Sequence, residues 1–321
     1  MSDMTVAQYL EENFWKETAA MKKYNGRKTG FGNLDESEFF WFLPGLYVLG
    51  GTPGAGKTSW ALQLVCQLSA GVADCESESC VFVSYEISRL KLIAKILARE
   101  TRIEYDKAKR QGTASNVFPL SASAIFCGTR SPEFEKAVES CRRKLDNLII
   151  LDADADMTID KLIEKLRMMA KAAGDKNFVC VVDYLQLIPV GKSDKSETSK
   201  ERLDGVLFKL KKFQKETDAT VVVISSFNRS SNVTGNGDMH SYLGSGGIEY
   251  TADVCMTLAR AKTNNDETPK PPPYEVHLKC TKNRHGGLFN EKFSYWAQSD
   301  YFCKFEASTS EEPSVKKKIR K

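Results

Sequence analysis

The most informative pattern in this 321-residue sequence is a glycine-rich run that ends in lysine and threonine. Residues 51–58 match G-x-x-x-x-G-K-[ST], an apolar run precedes them, and a helical pattern follows. Glycines let backbone amides turn toward an anion at a helix N-terminus, where an amino and a hydroxyl group then follow at fixed spacing. We therefore predict a nucleotide phosphate site made by Gly51, Thr52, Pro53, Gly54, Ala55, Gly56, Lys57, Thr58 and Ser59.

In such a site Lys57 spans the β- and γ-phosphates of ATP, and the Thr58 hydroxyl ligates Mg²⁺. The alternative is a glycine-rich turn with an exposed lysine. That alternative does not require the apolar strand before the run or the helix after it, whereas a phosphate loop requires both.

A bound magnesium ion needs an acidic partner, and residues 178–183 form an apolar strand that ends in Asp183. This is the form of a Walker B segment, in which Asp183 holds Mg²⁺ through a water molecule. Asp183 as a simple strand-end cap is the alternative. Asp152, Asp154 and Asp156 end another strand, but their alternation with other residues before a helix is more typical of turn and capping chemistry.

Hydrolysis also needs a group that deprotonates water, and Glu86 follows the apolar run 81–85. In a parallel sheet the strand ends meet at the ligand crevice, which would bring Glu86 to the phosphate loop. Glu86 equally suits the first turn of a helix, where its charge complements the helix dipole. The residues alone leave these two roles open.

The elements that must position these groups alternate between short apolar strands and helical patterns, which predicts an α/β fold with a mostly parallel sheet covered on both faces. We predict strands at 46–50, 81–84, 148–152, 178–183 and 220–225, and helices at 57–70, 88–101, 159–172 and 199–216. Ser131-Pro132 also reads as a helix N-cap followed by the first helical position. Beyond residue 250, strands without intervening helices at 254–258, 276–280, 293–296 and 301–305 predict an antiparallel extension of the same sheet.

Apolar residues at helical spacing predict an amphipathic helix over 5–24, which Asn25-Gly26 ends. We therefore divide the chain into an N-terminal helix (1–27), one α/β domain (28–306) and a basic, disordered tail (307–321).

Composition excludes a uniformly basic nucleic-acid coat. The formal charge is +4, from 46 Lys and Arg against 42 Asp and Glu. Five of the basic residues lie in the segment 316–321, so residues 1–315 carry 41 basic and 42 acidic side chains. Any polyanion must therefore be held by a local site. No apolar run is long enough to span a membrane, and the nine cysteines include no CxxC pair, which together predict a cytoplasmic protein without membrane contact.

Assembled in order, these motifs resemble the RecA-like motor domain of DnaB-type replicative helicases over residues 28–306. The segment Asp183-Tyr-Leu-Gln-Leu is the most distinctive match, and Ser84-Tyr-Glu-Ile is similar to the strand end that carries the family's catalytic glutamate. The other matching segments, in family order, are Thr29–Asp35, Ser225–Arg229, Gly246–Glu249 and Lys282-Asn-Arg284.

The resemblance implies an ATP- and Mg²⁺-dependent helicase or translocase that acts on single-stranded DNA as a homo-oligomeric, hexameric ring, with a loader or primase as further partner. It implies that Glu86 is the catalytic base. It also implies that Arg284 is an arginine finger and Lys282 its companion, both supplied to the neighbouring subunit's site. The helix at 5–24 then resembles the family's linker helix, which packs on the adjacent protomer.

Two departures from the family pattern bear on DNA. Ser226 stands where the family has Gln at the end of the strand after Walker B, and the loop 230–247 contains no Lys or Arg. Phosphate neutralisation supplies much of single-strand affinity, so we place DNA contacts at Lys192, Lys195 and Arg229. Backbone amides of the glycine-rich loop can contact phosphates without cations, so we add Gly244 and Gly246. The segment 192–215 carries eight Lys or Arg against four Asp or Glu, which is also typical of a solvated helix face. A RecA-, KaiC- or RadA-like regulatory or loading ATPase that does not unwind DNA is the alternative function.

Overall fold

The alternation of strands and helices folds as an α/β domain in the computed structural model, which describes residues 4–113, 118–191, 198–226, 245–261 and 272–305. The strands are β1 (Gly45–Gly51), β2 (Ser79–Ser84), β3 (Leu148–Asp152), β4 (Phe178–Asp183), β5 (Thr220–Ile224), β6 (Val254–Arg260), β7 (Tyr274–Asn283), β8 (Asn290–Trp296) and β9 (Tyr301–Lys304). These nine strands of the described residues form one sheet in the order β3-β2-β4-β5-β1-β6-β7-β8-β9.

The longer helices connect and cover the parallel strands. In chain order the helices after residue 30 are α1 (Gly32–Asp35), α2 (Lys57–Ala70), α3 (Arg89–Arg110), α4 (Ala122–Phe126), α5 (Pro132–Lys144), α6 (Ile159–Ala172), α7 (Ser199–Thr217) and α8 (Ser245–Thr251). The predicted end of α3 at 101 was wrong, since the helix continues for nine residues with polar and charged side chains that sequence periodicity undervalues. Ser131 caps α5 as predicted, because its side chain accepts a hydrogen bond from Phe134 N.

The sheet is parallel from β3 through β6 and antiparallel from β6 through β9, which confirms the predicted extension. Strand register brings the carboxyl ends of the parallel strands level: Ser84 pairs with Asp183, and Leu49 pairs with Ile224. The polar residues that follow these strands therefore share one edge, which we call the carboxyl edge. The amino ends of the parallel strands form the opposite amino edge.

Two buried clusters cover the two faces of the sheet, because successive side chains of a strand point to opposite faces. On β1, Tyr47 and Leu49 belong to one cluster, with Trp60 of α2. Leu46 and Val48 belong to the other, with Phe213 of α7. Burial on both faces explains the nearly continuous apolar composition of the central strands.

The N-terminal segment is helical from Val6 to Tyr24, as predicted, with a π-helical stretch at Leu10–Phe14 and a 3₁₀ turn at Lys22–Tyr24. Val6 and Trp15 are 77% and 72% exposed, whereas Tyr24 is buried. Just after this helix, the buried Arg27 guanidinium pairs with Glu78 at 2.5 Å. This pair fixes the point where the segment joins the domain. In the described ranges, no helix has the length and apolarity that crossing a membrane requires.

Candidate active site

The glycine-rich run lies between β1 and α2 at the carboxyl edge. Gly54 and Gly56 have φ values of 74° and 96°, in the left-handed region that favours glycine. A Cβ atom at Gly56 would lie 2.8 Å from Cζ of Phe302, so this position also excludes a larger residue sterically. Lys57 Nζ donates hydrogen bonds to Gly51 O at 2.9 Å and Thr52 O at 3.1 Å. The loop thus already folds back over the amino group that a phosphate would engage.

Thr58 and Asp183 meet at the first turn of α2, as the sequence predicts for a magnesium site. Thr58 Oγ1 donates to Asp183 Oδ2 at 2.8 Å, and Asp183 is almost completely buried. Burial, with a smaller contribution from the charge of Glu86, raises the pKa of Asp183 to about 6, although Thr58 and Lys57 oppose the shift. Because burial penalises the charged form of the Asp183 carboxylate, a cation bound beside it would stabilise that form.

The donor set fits magnesium better than a metal held only by protein. Mg²⁺ keeps several waters and takes one or two protein oxygens plus phosphate oxygens. In the described part of the chain, no three His, Cys, Asp or Glu residues form a metal-binding group. One hydroxyl and one carboxylate fit a magnesium ion that arrives with a nucleotide; Thr58 and Asp183 would hold it, and it would supply charge neutralisation at the phosphates.

A cleft of about 420 Å³ brings the other predicted groups to the same place, since Lys57, Thr58, Glu86, Asp183 and Ser226 all line it. Glu86 is exposed there, and its charge affects both Asp183 and Lys57. Burial lowers the pKa of Lys57, against the attraction of these two carboxylates.

Gln186, part of the Asp183–Leu187 motif, connects β4 to the end of β5. Its side-chain amide donates to Ser225 Oγ at 2.9 Å and accepts from Ser226 N at 3.3 Å. This explains why the two segments after these strands stay together around the cleft. In the sequence, Gln186 is one position of the Asp183–Leu187 motif, and nothing in its spacing predicts this contact.

Lys95 and Asp300 are site residues that the sequence analysis missed. Lys95, on α3, lines the cleft and donates to Asp300 Oδ1 at 2.7 Å, and Ser59 Oγ donates to the same oxygen at 2.5 Å. This cluster joins the first turn of α2 to α3 and to the residue before β9. The three positions are far apart in the chain, so no local spacing signals their contact.

Lys282 and Arg284 lie at the amino edge, away from the phosphate loop of their own chain. Asn283 pairs with Val254 at the start of β6, and Tyr47 near the start of β1 pairs with Val254 on the other side. The seven residues of β1 separate the two edges by roughly 20 Å at about 3.3 Å per residue. Neither side chain can reach the phosphate site of the same chain.

Arg284 is held in place at this edge by Asp253. Arg284 Nη1 donates to Asp253 Oδ1 at 3.2 Å and Nη2 donates to Tyr250 O at 3.0 Å. Asp253 Oδ2 accepts from Leu46 N at 2.7 Å and from Lys211 Nζ at 2.5 Å. Lys282 Nζ donates to the carbonyl oxygens of Glu249 and Ala252. The Arg284 side chain stays 49% exposed, so it is oriented and accessible.

We expect Asp253→Asn to lower the free energy of unfolding by about 1–3 kcal/mol at pH 7. Burial raises the pKa of Asp253, but Lys211 and the Leu46 amide outweigh burial and hold it below its usual value. The stabilisation is therefore present above about pH 4, where an unfolded Asp ionises, and is lost as pH falls through the lower folded pKa. Denaturant unfolding from pH 3 to 7 should show the difference between wild type and variant shrinking at low pH.

The control is Asp175→Asn on an exposed loop, which should change stability by less than about 0.5 kcal/mol. A difference that stays constant from pH 3 to 7 would contradict the role assigned to ionised Asp253.

The proposed DNA contacts lie mostly outside the described residues, namely Lys192, Lys195, Arg229 and Gly244. Gly246 lies in α8. On α7, three lysines of the basic segment have acidic partners: Lys209 pairs with Asp160, Lys211 with Asp253 and Lys212 with Glu216. The pairs of Lys209 and Lys212, whose side chains are exposed, favour the solvated-face interpretation, whereas Lys211 is mostly buried and holds Asp253.

A family model described as DnaB-like helicase C terminal domain matches residues 26–304. A probable plasmid replicative DNA helicase of Chlamydia psittaci is 25% identical over 291 residues, which cover 89% of this chain and 57% of that protein. The replicative DNA helicase DnaB of Geobacillus stearothermophilus is 23% identical over 286 residues, with coverage of 88% and 57%. The chain thus spans little more than half the length of these curated relatives.

Solved structures agree on the fold. A solved ATPase domain superposes with a TM-score of 0.71 at 19% identity, covering 95% of this chain and 100% of that one. A KaiC-like protein of Pyrococcus horikoshii gives a TM-score of 0.54 at 16% identity, covering 87% of this chain and 98% of that one. Both likenesses show the same kind of α/β architecture.

Proposed function

Because the chain belongs to the DnaB-like helicase C-terminal domain family, we propose that it hydrolyses Mg-ATP and uses the energy to move along single-stranded DNA. The observation that carries the proposal is the position of Lys57, Thr58 and Asp183 at the carboxyl edge while Arg284 lies at the amino edge. Each chain then holds one incomplete half of a site at each edge. Two adjacent chains complete it.

Within one composite site the roles divide by chemistry. Lys57 and the loop amides hold the phosphates, and Thr58 and Asp183 hold the magnesium ion. Glu86, exposed in the same cleft, takes the proton from the attacking water. Charge develops on the γ-phosphoryl oxygens during transfer, and a guanidinium stabilises it bidentately, which is the role of Arg284 from the neighbouring chain. Lys282 supports it. Ser226 also lines the cleft, but its side chain is shorter than the glutamine that the family has at this position, so it extends less far toward the phosphates.

Association follows from the same arrangement. We propose a cytoplasmic hexameric ring in which the exposed N-terminal helix packs on the adjacent protomer, since Val6 and Trp15 lie on it largely uncovered. DNA would be held in the ring channel by the segments that contain Lys192, Lys195, Arg229, Gly244 and Gly246. The structure of a DnaB-like replicative helicase was solved to describe its interactions with primase, which supports a primase as partner here; a loader rests on the family resemblance alone.

The test measures ATP hydrolysis against protein concentration, with and without a single-stranded oligonucleotide, beside strand displacement on a forked duplex. We expect hydrolysis per chain to rise with concentration, because the site is composite, and to rise again with DNA. Lys57→Ala should abolish both activities, whereas Lys161→Ala on the exposed surface of α6 should retain them. An ATP hydrolysis rate that does not change when DNA is added, together with no strand displacement at low salt, would favour a regulatory ATPase instead.

A further inference from the structure

A second cavity, of about 560 Å³, lies apart from the nucleotide cleft and shares no lining residue with it. Its walls come from α2, α3, α5, β9 and the segment 30–33. Ile96, Ile103 and Leu145 give it apolar sides. A cavity of this size and lining is in the range that encloses a small organic molecule.

Arg99, on α3, lines this cavity and is 4% exposed. Its Nη1 atom is buried and has no hydrogen-bond partner. A buried guanidinium nitrogen that lacks a partner loses hydration without compensation, and leaving a buried donor unsatisfied costs about 1–3 kcal/mol, more for a charged group. The stability of the fold therefore does not explain why the Arg99 guanidinium is buried beside an open cavity.

The groups around Arg99 do not neutralise it. Cys66 and Cys141 lie beside the guanidinium, and Cys66 also hydrogen-bonds to it. Burial raises the pKa of both thiols, that of Cys141 to about 12, so both are uncharged at neutral pH. The neighbouring carboxylate, Glu100, accepts from Lys144 at 2.7 Å and from Ser140 at 2.6 Å. Its charge is already engaged by Lys144.

We propose that this cavity, the Arg99 pocket, binds a small organic carboxylate whose anionic group pairs with Arg99. A carboxylate matches the planar fork of a guanidinium and forms the stronger, charge-assisted type of hydrogen bond. The apolar walls select a hydrophobic body behind that group. Asn33 Oδ1, also in the lining, is buried without a partner and would accept from a hydroxyl on the ligand.

The probe for the test is 4-hydroxybenzoate, and 4-hydroxybenzamide is its neutral control of the same shape. Titration calorimetry uses the full chain with saturating ADP and Mg²⁺, which keeps the probe out of the phosphate loop. We expect saturable binding of the carboxylate and at least about tenfold weaker binding of the amide. Methyl resonances of Ile96 and Ile103 should shift during the same titration.

Arg99→Met should weaken the binding of 4-hydroxybenzoate by about tenfold or more without lowering the unfolding temperature, because it removes a buried donor that has no partner and fills the same space with an apolar side chain. Ala70→Trp gives a second route, since it fills the rim of the pocket and leaves Arg99 unchanged. It too should weaken the carboxylate by about tenfold. Should Arg99→Met fail to fold, Ala70→Trp decides.

The proposal is overturned by any of three results. These are no saturable binding up to the solubility of the probe, equal binding of the amide, or undiminished binding in a folded variant.

Discussion

Arg284→Ala is expected to lower ATP turnover by about a thousandfold or more while nucleotide binding changes little. An arginine supplied in trans contributes about 10³–10⁵ to turnover in phosphoryl transfer, because it meets charge that develops only in the transition state. Arg284 lies at the amino edge, roughly 20 Å from its own phosphate loop along β1. Fluorescent ADP binding and steady-state hydrolysis measure the two effects separately.

An experiment that mixes two inactive variants tests the trans role of Arg284 more directly. Arg284→Ala chains combined with Lys57→Ala chains should regain activity, since a mixed assembly contains sites with Lys57 from one chain and Arg284 from the next. Arg143→Ala, whose side chain is 72% exposed on α5, is the matched control and should keep full activity. No recovery under conditions that demonstrably mix subunits would count against a trans role.

Glu86→Gln is expected to lower hydrolysis by about 10²–10⁴-fold, the usual contribution of general acid–base catalysis. The variant keeps size and hydrogen bonding but cannot accept the proton of the attacking water. Removing its charge also relieves the repulsion of Asp183, so Mg-nucleotide binding should be retained. Rapid-mixing hydrolysis and an independent binding measurement together identify a defect in chemistry.

The control for Glu86 is Glu139→Gln, an exposed glutamate on α5. Its hydrolysis should equal that of wild type. A Glu86→Gln enzyme with turnover within about threefold of wild type would remove Glu86 from the role of base and leave it as an exposed residue in the segment before α3.

The parallel strands and the phosphate site could be predicted because their signals are local. The strands at 148–152 and 178–183 and the helix at 159–172 lie where the apolar patterns placed them. Parallel topology then brings the residues after β1, β2 and β4 to one edge, so the contact between Thr58 and Asp183 follows from the motif plus the sheet.

Contacts between distant, unpatterned residues could not be predicted. Arg27 and Glu78 are separated by 51 positions, and each alone resembles an exposed charge. The pairing of Lys95 with Asp300 spans 205 positions and depends on how β9 returns to α2. Arg99 gave no signal at all, because an arginine on a helix is normally solvated and only tertiary packing buries it.

The opposite positions of the two half-sites also set the symmetry of any assembly built through them. A two-fold dimer pairs one surface patch with itself, so it would complete the sites only if the phosphate loop and Arg284 shared that patch; they lie at opposite edges of the sheet, roughly 20 Å apart along β1. A head-to-tail contact joins a carboxyl edge to an amino edge, and each copy added this way completes one site and leaves one unpaired half-site at each end of the chain. On the proposed function, an open chain of copies always has one catalytically dead end, and closure is the step that makes every copy competent.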